Sequence, residues 1–295
     1  MDVRVDSEIG RLVAVIVHRP DLEIELVPYE RTQEWLFEDP LWLSRSQEEY
    51  DDLLSVLQAV TGPDVLEVVD LFADVLELES TRRHILGGLE QAETLDSEVR
   101  GALASLGPKE LARAIVRGSL PDNPHRNLFA PIPNLFFTRD LASVVGSTIV
   151  LGHAKKLARQ RESLIMRAVL NHHPHFQDAS RITLELPSHQ RFWYSIDLLH
   201  SEEPDPEALV LSIEGGDFLV VGKNQLLIGC GERTTDLAAN MMAKALFDRR
   251  VVTDIFKVML PKKRSSMHLD TICTMVDTSE FVVDESYIMK RGARK

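Results

Sequence analysis

The sequence predicts an α/β fold interrupted by a small all-helical segment. Three observations predict it. Short apolar runs of strand length alternate with stretches of helical spacing. Residues 78–120 break that alternation, with helix spacing and no strand signal. Four polar stretches lie at the ends of strand-like runs, where α/β proteins usually hold ligands.

Arg11 to His18 reads as a buried strand, stopped at Arg19-Pro20 because proline cannot continue the ladder. From Gln47 to Val60, Tyr50, Leu53, Leu54, Leu57 and Val60 fall at helical spacing, and Gly62-Pro63 ends the helix. Val65–Val69 begins another short strand. Between 78 and 120, Leu86, Leu89, Leu95, Val99, Leu103 and Leu106 are spaced for helices, and Lys109–Arg117 forms one more, bounded by Gly107-Pro108 and Gly118. Ala142–Leu151 reads as a hairpin around Gly146, Leu157–Leu170 as a helix, and Arg181–Leu186 and Ala208–Ile213 as strands. Residues 201–207 are a polar loop. Phe218–Val221 and Gln225–Ile228 pair across Gly222-Lys223-Asn224; Thr235–Phe247 is a helix, and Val251–Leu260 and Ile272–Val276 are strands. No internal repeat is visible in the sequence.

Composition narrows the function classes. A formal net charge of −13 argues against nucleic acid as a partner, since phosphate binding needs clustered Lys and Arg. The same charge is compatible with a cationic small molecule. No apolar run approaches bilayer length, and the start Met-Asp-Val-Arg-Val-Asp lacks the pattern of a signal peptide, so a cytoplasmic protein without membrane partners is expected. Cys230 and Cys273 make no disulfide framework; both sit in apolar runs and read as buried thiols.

The polar stretches are Pro133–Asp140, Glu214-Gly215-Gly216-Asp217, Gly229–Thr235 and Met267-His268-Leu269-Asp270-Thr271. Taken singly, each has an ordinary reading. The second could be a hairpin turn and the third a loop with a threonine N-cap; the glycines of the third match no dinucleotide or phosphate fingerprint. In the fourth, an extended segment would put His268 and Asp270 on one face. His172, His173 and His175 lack the companion ligands of a metal site. Ser265, Ser266, His268 and Asp270 have the residue types of a hydrolytic triad, but close neighbours in sequence converge poorly, and no nucleophile elbow is present.

In this order, the four stretches resemble the arginine deiminase family of guanidino-group-modifying enzymes. Ser7–Leu12 running to His18-Arg19-Pro20, Leu36–Pro40, and the helical segment ending Leu106–Leu111 extend the resemblance over nearly the whole chain. It implies a pentein-type α/β-propeller of ββαβ-like units about a pseudo-fivefold axis. That propeller would comprise residues 1–77 and 121–295, incomplete at its C-terminal unit, with 78–120 as a helical insertion. By the same resemblance, Asp140 and Asp270 grip the substrate guanidinium, for which bidentate carboxylates are suited. Glu214 orients that group, and His268 is the general acid and base. Arg159 and Arg233 hold the α-carboxylate, with Arg161 competing with Arg159 for its place, and Asn134 and Phe137 line the pocket. L-Arginine is the implied small-molecule partner and citrulline with ammonia the products, through a covalent amidino-cysteine. No metal or organic cofactor is implied, and a homo-oligomer stays open. Neither Cys230 nor Cys273 matches the family's nucleophile motif, so the attacking cysteine is expected to be missing. A non-catalytic arginine-binding protein and another guanidino-modifying enzyme, such as an amidinotransferase, are the alternatives.

Overall fold

A hairpin extended by a parallel third strand occurs twice, and this repeat organises the sheets. The computed structural model describes residues 2–288 apart from 28, 30–31, 33–34, 94, 157–158 and 184–210. The chain divides into two units. The first holds residues 1–10, 139–155 and 179–295; the second holds 11–138 and 156–178.

In the second unit, β1 (Val15–Val17) and β2 (Val65–Glu67) are parallel, in register Val15↔Val65, and are joined through α2 (Leu43–Thr61). One helical turn, α1 (Leu22–Glu25), lies between β1 and α2. Residues expected to continue the β2 strand, Val68 and Val69, instead open α3 (Val68–Leu76). The side chain of Glu67 caps this helix by accepting the Val69 N–H, and Leu71, Phe72, Val75 and Leu76 are buried in it. A segment apolar on nearly every side carries no helical period, which is why the sequence reading missed it. The expected helices follow as α4 (Glu79–Ala92), α5 (Ser97–Ser105) and α6 (Pro108–Arg117). Proline at the first position of α6 costs no hydrogen bond, and Gly118 ends the helix in the left-handed region, at φ 73°. Packed against α3 are α6 and α7 (Gln160–His172). The α2 stripe of Leu53 and Val60 is exposed, and nothing in the described residues explains it.

In the first unit, β3 (Ala142–Val145) and β4 (Thr148–Leu151) form an antiparallel hairpin, and β5 (Ser180–Thr183) runs parallel to β4. Gly146 turns that hairpin at φ 56°, a conformation that disfavours a side chain. β6 (Phe218–Gly222) and β7 (Gln225–Cys230) repeat the hairpin, and β8 (Asp254–Met259) runs parallel to β7 after α8 (Asp236–Asp248). Asn224, at φ 64°, supplies the left-handed position of the turn. A last hairpin, β9 (Cys273–Asp277) with β10 (Glu280–Val283), precedes the turn α9 (Glu285–Ile288). The sequence reading found β9 but not β10. Alternate residues of β6 and β7, Phe218, Val220, Leu226 and Ile228, bury against Ala238, Met242 and Leu246 of α8. Fully burying a side chain such as Phe218 contributes about 1.5–3 kcal/mol.

Several sequence expectations need adjustment. The expected strand Ala208–Ile213 lies partly outside the described residues; Leu211–Ile213 forms only one bridge, Ile213 with His153. Residues 184–186 of the expected strand Arg181–Leu186, residues 157–158 of the expected helix and the 201–207 loop also lie outside them. Val251 and Val252 precede β8 rather than joining it. Three of the polar stretches lie immediately before the first strand of a hairpin: Thr138–Leu141 before β3, Gly215–Asp217 before β6 and Arg264–Asp270 before β9.

Candidate active site

Glu214, buried completely, anchors the site. Its N–H donates to the Thr234 hydroxyl at 3.2 Å, and its Oε1 accepts the Lys155 N–H at 3.2 Å. The same oxygen lies 3.7 Å from the Arg233 guanidinium. Its Oε2 is 2.9 Å from His268 Nε2. On the other side of the ring, His268 Nδ1 is 3.7 Å from Asp140 Oδ1. The imidazole is thus strung between two carboxylates. Burial disfavours its charge, but the hydrogen bond to Glu214 and the charges of Asp140, Glu214 and Asp217 outweigh burial and raise its pKa.

Asp270 stands beside this pair. A side chain on Gly216 would place its Cβ 2.8 Å from the His268 ring and 3.0 Å from Asp270 Oδ2, so both groups close over this glycine. The Asp270 pKa is raised, chiefly by burial, against the pull of His268 and Arg139. Arg139 Nε lies 3.5 Å from Asp270 Oδ2, while its Nη2 donates to the Phe218 carbonyl at 2.6 Å and to Glu8 at 3.1 Å. Residues 268–270 are not extended, as the sequence reading expected. They form a bend, fixed because Leu269 N–H donates to Asp217 Oδ1 at 2.9 Å and Asp270 N–H to the Gly216 carbonyl at 3.0 Å.

Arg233 is buried, and among the described residues its Nε and Nη1 have no hydrogen-bond partner, Nη1 standing 3.7 Å from Glu214. Such orphaned cationic donors are costly and suit an anion. One ligand atom each from Asp140, Glu214 and His268 lies within 4.8 Å of the others, a spacing a small cation could use. Those atoms already face one another and the Arg233 guanidinium, so the trio is an organised acid–imidazole set.

A model of the arginine deiminase family matches residues 89–295. The arginine deiminase of Rhodococcus erythropolis is 32% identical over 302 residues, covering 95% of this chain and 68% of the relative. That of Listeria innocua is 30% identical over 310 residues, covering 98% and 71%. The chain belongs to the arginine deiminase family. Among solved structures, the amidinotransferase SxtG from Microseira wollei has a TM-score of 0.52 at 16% identity, covering 96% of this chain and 69% of that one. DDAH from Pseudomonas aeruginosa, solved with citrulline, has a TM-score of 0.50 at 13% identity, covering 94% and 71%. At such identities the likeness speaks for the fold, an α/β architecture of the pentein kind.

In this member of the arginine deiminase family, Asp140, Glu214, His268, Asp270 and Arg233 all fall in the first unit. Asn134, Phe137 and Arg159 form a group within the second. Arg159, 3% exposed, pairs with Glu162 at 2.9 Å, stands 3.5 Å from the carbonyls of Asn134 and Phe137, and faces the Phe137 ring at 6.0 Å. Asn134 donates its amide to the Trp35 carbonyl at 2.9 Å. Arg161 is tied instead to the carbonyls of Ala130 and Pro131 and to the Phe129 ring. The sequence reading overlooked Asp217 and Arg139 as members of the site. Asp217 shares the Glu-Gly-Gly-Asp motif, and Arg139 directly precedes Asp140; those adjacencies were the available signals. Ser265 and Ser266 bond to the Tyr287 hydroxyl and the Pro261 carbonyl, away from triad chemistry.

Proposed function

We propose that this chain binds L-arginine and carries the guanidinium-handling half of an arginine deiminase site. Asp140 and Asp270 hold the guanidinium by charge-assisted hydrogen bonds, and Glu214 orients it. Arg233 takes the α-carboxylate end of the substrate. His268 gives a proton to the departing ammonia and later takes one from the hydrolytic water. The single observation that carries this reading is the approach of His268 to both Glu214, at 2.9 Å, and Asp140, at 3.7 Å. A pKa raised above the ordinary imidazole value favours the protonated ring that donates.

The reaction on this reading is hydrolysis to citrulline and ammonia. A thiolate adds to the guanidinium carbon, ammonia leaves with the proton from His268, and water cleaves the amidino–sulfur bond to return the thiol. Neither thiol of this chain suits the attack. Burial pushes Cys230 up to about 11, and burial also raises Cys273. On this reading Cys230 and Cys273 are not the nucleophile, and the chain is expected to bind arginine without turning it over. The same proposal reads the repeated hairpin-plus-parallel-strand units as blades of an α/β-propeller, with residues 78–120 inserted as helices.

Isothermal titration of the purified chain with L-arginine, alongside a citrulline assay, tests both parts. Saturable binding without citrulline is expected. Failure to bind would overturn the substrate, and citrulline production by this chain would overturn the account of the thiols.

A further inference from the structure

The proposed chemistry makes no use of the buried carboxylate of Asp217, which adjoins the site. Asp217 is fully buried beneath the site, and its two oxygens have different surroundings. Oδ1 accepts the Leu269 N–H at 2.9 Å and the Thr234 hydroxyl bonds to the carboxylate, whereas among the described residues Oδ2 has no well-formed hydrogen bond. A carboxylate carried into the interior with an idle oxygen is costly, and a neutral acceptor could have served the Leu269 amide equally well. The surrounding chain is nevertheless shaped to keep it. Gly229 of β7 has no room for a side chain between Asp217 and Leu269, whose Cβ would stand 2.9 Å from an added Cβ. The Thr234 hydroxyl, which also receives the Glu214 N–H, faces Asp217 from the loop after β7.

The bonds around Asp217 form an interlock. Glu214 meets His268 at 2.9 Å, Asp217 meets the Leu269 N–H at 2.9 Å, and the Gly216 carbonyl meets the Asp270 N–H at 3.0 Å. The 214–217 turn is therefore laced to the 268–270 bend at three points. Two of these hold the backbone of the bend, and of those two only the Asp217 contact comes from a side chain, which a single substitution can remove.

We propose that Asp217 is a positioning residue, whose carboxylate grips the Leu269 amide so that His268 and Asp270 are presented together at the guanidinium site. This rests on the substrate reading given above. Asp217 does not touch the substrate; it acts through the bend. Its second effect is electrostatic. The charged and titratable groups that face His268 are Asp140, Glu214, Asp217 and Asp270, with Arg139 and Arg233 opposing them. A charge on Asp217 favours the imidazolium.

Two variants separate clamp from charge. Asp217→Asn keeps an acceptor for the Leu269 N–H and removes the charge; Asp217→Ala removes both. Each is followed by thermal melting, by NMR titration of the His268 ring (assigned with His268→Gln), by the Leu269 and Asp270 amide resonances, and by calorimetry with L-arginine. Asp217→Asn is expected to lower the His268 pKa while leaving the two amides near their wild-type positions. Asp217→Ala is expected to shift those amides and weaken L-arginine binding by about tenfold or more, as the loss of a well-placed charge-assisted hydrogen bond would. If Asp217→Ala does not fold, the His268 titration in Asp217→Asn still decides. Wild-type Leu269 and Asp270 amide resonances in Asp217→Ala would overturn the clamp, and a wild-type His268 titration in Asp217→Asn would overturn the electrostatic effect. If the wild-type chain does not bind L-arginine, the substrate reading falls, and the ring and amide measurements still judge Asp217.

Discussion

Gly216→Ala perturbs the catalytic pair directly, because the structure fixes where the new methyl must go. Its Cβ would stand 2.8 Å from both Cγ and Nδ1 of His268 and 3.0 Å from Asp270 Oδ2. Side chains rarely approach so closely, so either the ring or the backbone must yield. The ring has little freedom, since it is 5% exposed and its Nε2 is bonded to a completely buried Glu214. The backbone is no freer, because the Gly216 carbonyl holds the Asp270 N–H. Overpacking of this kind costs about 1–3 kcal/mol, and we expect Gly216→Ala to lose that much in urea denaturation without a change of slope. The His268 ring resonances should move with it. Gly87→Ala, in α4 where an added Cβ meets nothing within 4 Å, is the control, and it should gain about 0.5–1 kcal/mol. A Gly216→Ala chain with the wild-type midpoint and unmoved His268 resonances would refute the packing argument.

Three further outcomes are expected. His18 lies between Glu23 at 3.1 Å and Glu67 at 2.7 Å; burial opposes its charge, but these bonds outweigh burial and raise its pKa to about 9. A raised imidazole pKa stabilises the fold fully below the unfolded value of 6.5, and the contribution is lost as pH rises toward 9. The melting temperature should therefore fall across that window, and His18→Gln should be less stable at neutral pH but flatter in its pH dependence; an equally steep fall in the variant would discredit the assignment. Iodoacetamide should label Cys273 well before Cys230, because Cys230 is 2% exposed with its thiol pushed up to about 11. Equal labelling rates would contradict that environment. Finally, Val276, Phe281, Val282 and Val283 of β9 and β10 are exposed together, with Phe256 and Met259 on β8. Such surface promotes association, so light scattering should find the chain self-associating and Phe281→Glu with Val282→Lys should reverse it; a monodisperse wild-type monomer would count against this.

Local turn chemistry was readable from the sequence. Gly146 and the Gly222-Lys223-Asn224 turn located both central hairpins, since their backbone conformations exclude most residues. Proline and glycine likewise bounded α6. The failures share a different physics. α3 is apolar on almost every side, so its period vanishes, and Val68-Val69 look like strand until tertiary packing against α6 and α7 selects helix. The repeat of hairpin plus parallel strand is absent from the sequence because sheet pairing needs only alternating apolar residues, not identical ones. At the site, the motif residues were found, but the shape of 268–270 was not. Its bend is imposed by Asp217 and Gly216, which lie more than fifty residues earlier, and such non-local hydrogen bonds leave no local mark.

The charge balance of the site also bears on what it can accept. Asp140, Glu214, Asp217 and Asp270 supply carboxylates, and His268, Arg139 and Arg233 supply the opposing charge. Burial pushes Asp217 up to about 7, and the negative charge of Glu214 adds to the rise, against His268, Thr234 and the Leu269 amide. Asp270 is raised as well. Burial raises these carboxyls by disfavouring their charge, and a cationic charge beside Asp270 would bring it back down. On the proposed reading the substrate guanidinium is that charge, and the orphaned donors of Arg233 are matched by its carboxylate. Both ends of a zwitterionic amino acid then meet complementary groups already fixed by burial and backbone bonds, which lowers the cost of ordering the site on binding. A neutral analogue such as citrulline would keep the Arg233 contact but offer Asp270 no charge, so the proposed reading places discrimination between the two in the carboxylates, and citrulline should bind more weakly than L-arginine in the same calorimetry.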